Sequence, residues 1–213
     1  MNSTAGTKAA KAPRRAATRE RLMASAEQLI GLKGIDGVSL EEIAKHAGQA
    51  NKYAVQYHFV SREGLIQAIL DTRIAAIEQR RRALLDHIDL SSVNEILNAF
   101  VLPLAEQVDE NGECAFARFL LQFATQFQPW SGIVHPLVSA GEDSASHALS
   151  RALATLFPHI PEPVLGQRLI LLMHLPLRVL LPDEHQSAVT RAARLDDTVA
   201  MIAAALAAPL SRA

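Results

Sequence analysis

Between Ser39 and Leu65 the sequence reads SLEEIAKHAGQANKYAVQYHFVSREGL, a stretch that allows few folds. Ser39-Leu40-Glu41-Glu42 has the pattern of a capping box, in which a serine hydroxyl takes a free amide at a helix start and the later glutamate reaches back. Leu40, Ile43, Ala44 and Ala47 then fall at helical spacing. Gly48 stands where a helix end calls for a residue that tolerates positive φ. Asn51 is suited to cap a second helix, which the pattern carries to Tyr57-His58-Phe59. Two helices joined by a few residues with a glycine make a helix-turn-helix, whose second helix enters the major groove of DNA.

A net charge of −1 over 213 residues argues at first against a nucleic-acid partner. Its distribution reverses the argument. Through Arg62 there are ten Lys and Arg (8, 11, 14, 15, 19, 21, 33, 45, 52, 62) against five acids (20, 27, 36, 41, 42), a balance of +5 that leaves −6 for the remainder. A basic head on an acidic body is the asymmetry expected when one end meets phosphate. Apolar residues make up 49% and charged residues 20%, the balance of a folded chain. Ala and Leu abound while strand formers are sparse, so the chain is predicted to be all-α. The lone Cys114 excludes an internal disulfide and fits a reducing, cytoplasmic setting. No apolar h-region follows the basic N-terminus. The apolar run 164–181 is interrupted by Arg168, His174, Pro176 and Arg178, which suits a buried helix and not a membrane span.

Residues 1–17 lack apolar periodicity and are expected to form a disordered basic arm, compatible with added phosphate or minor-groove contacts. A transit peptide shares this look, but here it would abut the head with no processing segment between. Thr18 is placed to cap helix 1, with Leu22, Ala26, Leu29 and Ile30 as its buried stripe and Gly34 as its stop. Ser61 caps helix 4, whose apolar face continues through Leu65, Ile66, Ile69 and Leu70. Arg80-Arg81-Arg82 on that helix is expected to be a solvated face.

Several spaced motifs of residues 18–65 together resemble the DNA-binding head of the tetracycline-repressor (TetR) family. They are Thr18-Arg19, the helix end from Ala26 to Gly34, Ile43-Ala44 with Ala47-Gly48, Tyr57-His58-Phe59, and Ser61-Arg62-Glu63 before Leu65. The step from Gly48 to Phe59 is one residue longer than the family's usual spacing, which predicts a longer turn. The resemblance implies a head at 18–62 and an all-helical effector-binding and dimerisation body at 63–213. It also implies that the two terminal helices pair with those of a second copy in a four-helix bundle.

For the body, the pattern predicts helices from Ser91 or Ser92 to about Asn111, from Cys114 to Phe127, from Ile133 to Phe157, from Val164 to Leu181 and from Leu195 to Leu210. Pro103 and Pro176 should kink the first and fourth.

The second helix of the head, from about Asn51 to His58, supplies the base-edge candidates Lys52, Tyr53, Ala54 and Gln56, with Gln49 and Asn51 near the same groove. Tyr57 and His58 are placed for phosphate; Thr18, Arg19, Ser39 and Arg62 join them at helix starts. Packing between helices is the alternative for either tyrosine. Phe116, Phe119, Phe123 and Phe127 form a stripe that is either core or, with Phe100, Leu104 and Trp130, the wall of an effector pocket. His174 and Arg178, one helical turn apart, form a second polar set for that pocket. An apolar or weakly anionic effector follows from such a wall. Leu169, Leu172, Met173 and Leu180, with Val199, Ile202, Ala203 and Leu206, make the apolar faces expected at the dimer interface.

Neither metal-ligand spacing nor a glycine-rich phosphate loop occurs, and Cys114 with His174 is too permissive a pattern to indicate catalysis. The predicted function is a ligand-responsive regulator, as a repressor, that binds a palindromic operator as a homodimer without a cofactor. Its rivals are a sequence-indifferent architectural DNA-binding protein and a soluble carrier of apolar ligands.

Overall fold

The computed structural model describes residues 5–51, 53–109, 111–125, 141–182 and 189–210. These hold helices α1 (Ala5–Lys33), α2 (Leu40–His46), α3 (Ala54–Phe59), α4 (Arg62–Leu85), α5 (Val93–Ala105), α6 (Ala115–Thr125), α7 (Ala145–Leu156), α8 (Glu162–Leu172), α9 (His174–Val179) and α10 (Arg191–Leu206). The described residues contain no strand. None of their helices is long and apolar enough to cross a membrane.

Two apolar cores hold the chain. The first joins Leu22, Ile30, Ile43, Val55, Phe59 and Leu65 of the helix-turn-helix end to Phe116, Phe119 and Phe123 of α6 and to Leu177 and Leu180. The second lies among α5, α7, α8 and α10, around Ile96, Phe100, Leu149, Leu165, Ile202 and Leu206. A small three-helix unit has too little apolar surface to stand alone, and α6, packed along α1, supplies the missing face.

Several helix ends lie elsewhere than the sequence pattern suggested. Helix α1 begins at Ala5, so the arm expected to lack regular structure is helical over most of its length. Its Ala, Lys and Arg residues are good helix formers even without an apolar stripe. Thr18 consequently sits inside α1 and is not its cap; its hydroxyl accepts from the Arg21 guanidinium at 3.4 Å. Helix α5 ends at Ala105, two positions after Pro103, well short of Asn111. Ser144 caps α7 by accepting from the His147 amide at 3.0 Å, so that helix starts at Ala145. The earlier part expected from Ile133 lies outside the described residues up to 140.

Pro176 breaks its helix instead of kinking it. A proline ring clashes with the carbonyl four residues back, here that of Leu172, and α8 indeed stops at Leu172 before α9 resumes at His174. The last helix begins at Arg191, capped by Thr190, whose hydroxyl accepts from the Ala193 amide at 3.2 Å.

Candidate nucleic-acid interface

The turn between α2 and α3 is built from local hydrogen bonds. The Ser39 hydroxyl accepts from the Glu42 amide at 3.1 Å. Lys33, which bonds the Glu42 carboxylate, holds that carboxyl below its usual range, aided by the Ser39 amide. At the other end the Gly48 amide donates to the Lys45 carbonyl at 3.0 Å and the Gln49 amide to the Ala44 carbonyl at 2.9 Å. This pair is a Schellman motif, which needs a left-handed residue after the helix. Gly48 has φ +68°, and nothing lies within 4 Å of where a Cβ would stand. Its glycine is thus required by conformation and not by space.

The longer turn appears as a delayed start of α3. Asn51 accepts the Tyr53 amide on its side chain at 3.0 Å and the Ala54 amide on its carbonyl at 3.0 Å. It therefore shapes the turn before the helix, and α3 starts at Ala54 and not at Asn51. Ala54, Val55 and Phe59 face inward. Ala54, expected at a base edge, packs in the first core: a helix this short must spend half its residues on anchoring. Gln49 turns its side-chain amide back to the Ala47 carbonyl at 3.2 Å. Lys52 lies outside the described residues.

The outward face of α3 carries Tyr53, Gln56 and Tyr57. The two tyrosines are 58% and 64% exposed, which decides against packing between helices. Beside them lie two arginines of α1. The Arg15 guanidinium stands 5.3 Å from the centre of the Tyr57 ring, and that of Arg19 stands 4.9 Å from the Phe59 ring. His58, half-buried, meets the edge of Tyr57 at 5.1 Å. Burial, and then the charges of Arg15 and Arg19, push its pKa below the usual histidine value. Arg15 lies within the basic arm, and only the extension of α1 brings it to the recognition helix.

The corner after α3 is strained. Val60 has φ +68° and ψ −48°, and the Ser61 amide donates to the Phe59 carbonyl at 2.7 Å. This is a γ-turn of the rare positive-φ kind, on a β-branched residue that is rarely found there. A Cβ on Gly64 would lie 2.2 Å from the Phe59 carbonyl oxygen, so only glycine lets α4 start so close to α3. Ser61 accepts the Gly64 amide at 3.1 Å. Arg62, expected at phosphate, is half-buried and donates to the Ile35 carbonyl, tying α4 to the α1–α2 loop.

These features describe a basic helix-turn-helix whose second helix has an aromatic and amide face open to solvent. Comparison with known proteins agrees with that geometry: residues 22–69 match the family model of bacterial regulatory proteins, tetR family. The match covers the second half of α1, the helix-turn-helix and the first part of α4.

Members of this family are DNA-binding transcription factors and not enzymes. The fold of this chain is similar to that of a TetR-family transcriptional regulator, PfmR, from Thermus thermophilus, at 16% identity and a TM-score of 0.57. That match covers 90% of this chain and 100% of the other. It is also similar to AibR in complex with isovaleryl coenzyme A and operator DNA, at 18% identity and a TM-score of 0.58, covering 86% and 97%. No curated protein matches it in sequence.

In the body of the chain the expected effector wall takes another form. Phe116, Phe119 and Phe123 are fully buried between α1 and α6, stacked at centroid distances of 6.1 and 6.4 Å. They are core, as is Leu104. His174 points its Nδ1 back to the carbonyls of Ile170 and Leu171 at 3.0 and 3.1 Å, and Arg178 is exposed. The break at Met173 is the cause: it turns Leu177 and Leu180 toward α6 in their place. Trp130 lies outside the described residues. Phe100 of the expected set borders a cavity of about 150 Å³, shared with Ser146, His147, Ser150, Leu169 and Met173.

Arg81, expected on a solvated face, is 4% exposed. It donates to Glu78 at 3.1 Å, to the Ser146 hydroxyl at 2.7 Å and to the Phe100 carbonyl at 3.0 Å. Its neighbour Arg80 behaves as expected, pairing with Glu106 at 2.9 Å on the surface. The missed signal is helical period, since Arg81 follows Ile77 by one turn on the buried side of α4. Burial pushes the Glu78 carboxyl up, but two bonds from Ser146 and the Arg81 guanidinium outweigh it, and the net shift is downward. Cys114 is buried, and burial pushes its thiol up.

The expected interface residues also divide. Met173, Leu180, Val199, Ile202 and Leu206 are buried within the single chain, which removes them from any contact with a partner. Leu169, Leu172 and Ala203 are half-buried. The apolar side chains left outside on these helices are Leu171, 70% exposed, and Met201, 55% exposed, with Ile170 and Leu175. Periodicity identifies an apolar face but not which neighbour covers it, and the stronger face has gone inward.

Proposed function

We propose that this regulator is a homodimeric, ligand-responsive repressor that binds a palindromic operator through α2, the turn and α3. The observation that carries the reading is the outward face of Tyr53, Gln56 and Tyr57, flanked by Arg15 and Arg19 on the basic head. Gln56 is suited to an adenine edge; Tyr57, His58, Arg19 and Ser39 suit the phosphates on either side. Dimerisation rests on the faces of α8, α9 and α10 that carry Leu171, Leu175 and Met201. A two-fold pair of heads reads two half-sites about one DNA turn apart. The similarity to AibR, a structure that holds operator DNA and isovaleryl coenzyme A, supports both a DNA partner and a small-molecule one.

Selection from a random duplex pool tests this. A palindromic consensus with a protected footprint is expected, and Gln56→Ala should lose about 1–3 kcal/mol of discrimination at one base position per half-site. Binding without any selected sequence would identify an architectural protein instead, and failure to shift any duplex a carrier.

A further inference from the structure

We propose that Arg15, from the part of α1 ahead of the helix-turn-helix, is a DNA phosphate contact, and that the Tyr57 ring holds its guanidinium in place for that contact. The inference rests on the DNA-binding reading and adds a contact from outside α2 and α3, together with the residue that orients it.

From residue 13 onward, the first buried side chain of α1 is Leu22, and residues 13–17 are exposed. Arg15 therefore lies about two helical turns ahead of the core, where packing against the core does not account for its position. Its guanidinium stands 5.3 Å from the centre of the Tyr57 ring, on the outward face of α3. One turn further along, Arg19 is half-buried; it lies over the Phe59 ring and donates to the Met23 Sδ at 3.5 Å. None of the ion pairs among the described residues includes either arginine. Their charge is felt at His58, whose pKa is lowered first by burial and then by Arg15 and Arg19.

An arginine lying on an aromatic face uses its flat side for the ring and keeps its in-plane N–H donors for acceptors. Those donors match two oxygens of one phosphate. A long side chain loses rotamer freedom when it binds, and one already resting on a ring loses less. Duplex DNA presents phosphates on either side of a helix seated in its groove. The cation expected for that task at the start of α4 is engaged elsewhere, since Arg62 donates to the Ile35 carbonyl. Arg15 supplies beside α3 the charge that Arg62 does not. Tyr57 is then a positioning residue for Arg15, whatever its own hydroxyl contacts.

Salt titrations on the full chain, with the selected operator and a random-sequence duplex of equal length, test the proposal. Both side chains are exposed, so the variants should fold, which circular dichroism checks. Arg15→Ala should lower the slope of log affinity against log salt by about 0.9 for each half-site bound, on both duplexes alike. Residues in contact couple, so the loss from Arg15→Ala should be about threefold smaller in a Tyr57→Leu background. Tyr57→Phe keeps the ring face and should leave the effect of Arg15→Ala undiminished. An unchanged slope in Arg15→Ala on both duplexes overturns the phosphate contact. Equal losses from Arg15→Ala in wild type and in Tyr57→Leu overturn the part given to the ring. A selected operator with an unchanged slope sinks this inference alone. A lowered slope without any selected sequence keeps the contact and sinks the regulator reading, and failure to bind either duplex overturns both.

Discussion

Phe119→Ala separates a structural stripe from a ligand-binding one. Phe119 is 0% exposed and stacked on both sides, by Phe116 at 6.1 Å and Phe123 at 6.4 Å. Truncating a buried phenylalanine costs about 3–5 kcal/mol, less where the surroundings collapse into the space. Collapse is blocked here. A Cβ on Gly31 of α1 would stand 3.2 Å from the Arg118 side chain and 3.3 Å from the Phe119 amide, so α1 and α6 are already at contact. The loss should therefore lie near about 4 kcal/mol. In a chain of this length that lowers the melting midpoint by roughly 10–15 °C. Urea and thermal melts at one fixed protein concentration measure it, since the midpoint of any self-associating chain depends on concentration. A loss below about 1.5 kcal/mol would mean a wall that is already wet or free to collapse. In that case Phe119 lines a pocket, and the reasoning from burial is refuted.

Three further perturbations follow. Glu27 on α1 is buried and takes two bonds from Arg73 of α4, at 2.7 and 2.9 Å. Breaking a buried pair costs about 3–5 kcal/mol. The Arg73 side chain is 35% exposed and keeps Gln107 at 2.9 Å, so Glu27→Ala should cost nearer about 2 kcal/mol in urea; no change would show the pair idle. His58, with its pKa lowered in the free protein, is more readily protonated when unfolded, so it removes stability as the pH falls through the histidine range. Phosphate beside it raises that pKa again, so operator affinity should rise from about pH 8 to about pH 6, and His58→Ala should flatten the slope in anisotropy titrations; a slope unchanged by the substitution places His58 away from phosphate. Val60→Gly relieves a left-handed β-branched residue at a cost in chain entropy, and should be neutral or stabilising by up to about 1 kcal/mol. A loss above about 1 kcal/mol in a chemical melt would show that the corner needs the valine side chain.

What proved legible in the head was chemistry tied to neighbours in the chain. Ser39, Gly48 and Ser61 cap or end helices through bonds to residues a few positions away, and each does so where the pattern placed it. Asn51 has the chemistry of a helix cap and bonds an amide as expected, but with one more residue in the turn the helix starts later. Thr18 failed as a cap because nothing in its immediate sequence stops a helix that begins at Ala5. The sign asymmetry along the chain was legible too, whereas the meeting of Arg15 with Tyr57 required the full length of α1.

The sequence by itself determined a helical chain, a helix-turn-helix at residues 39–59 and the basic end of the molecule. Each of these depends on period, capping or net charge, which are local or additive. Only the tertiary structure decided which apolar stripe lies inward. It put Phe119 against α1, sent Val199 and Ile202 into the chain's own core, and left Leu171 and Met201 outside. It also buried Arg81 among Glu78, Ser146 and Phe100 beside a cavity. A stripe of leucines has the same period whatever covers it, and an arginine in a run of three carries the same charge wherever it points. The choice among covers depends on contacts between residues far apart in the chain, which no local pattern records.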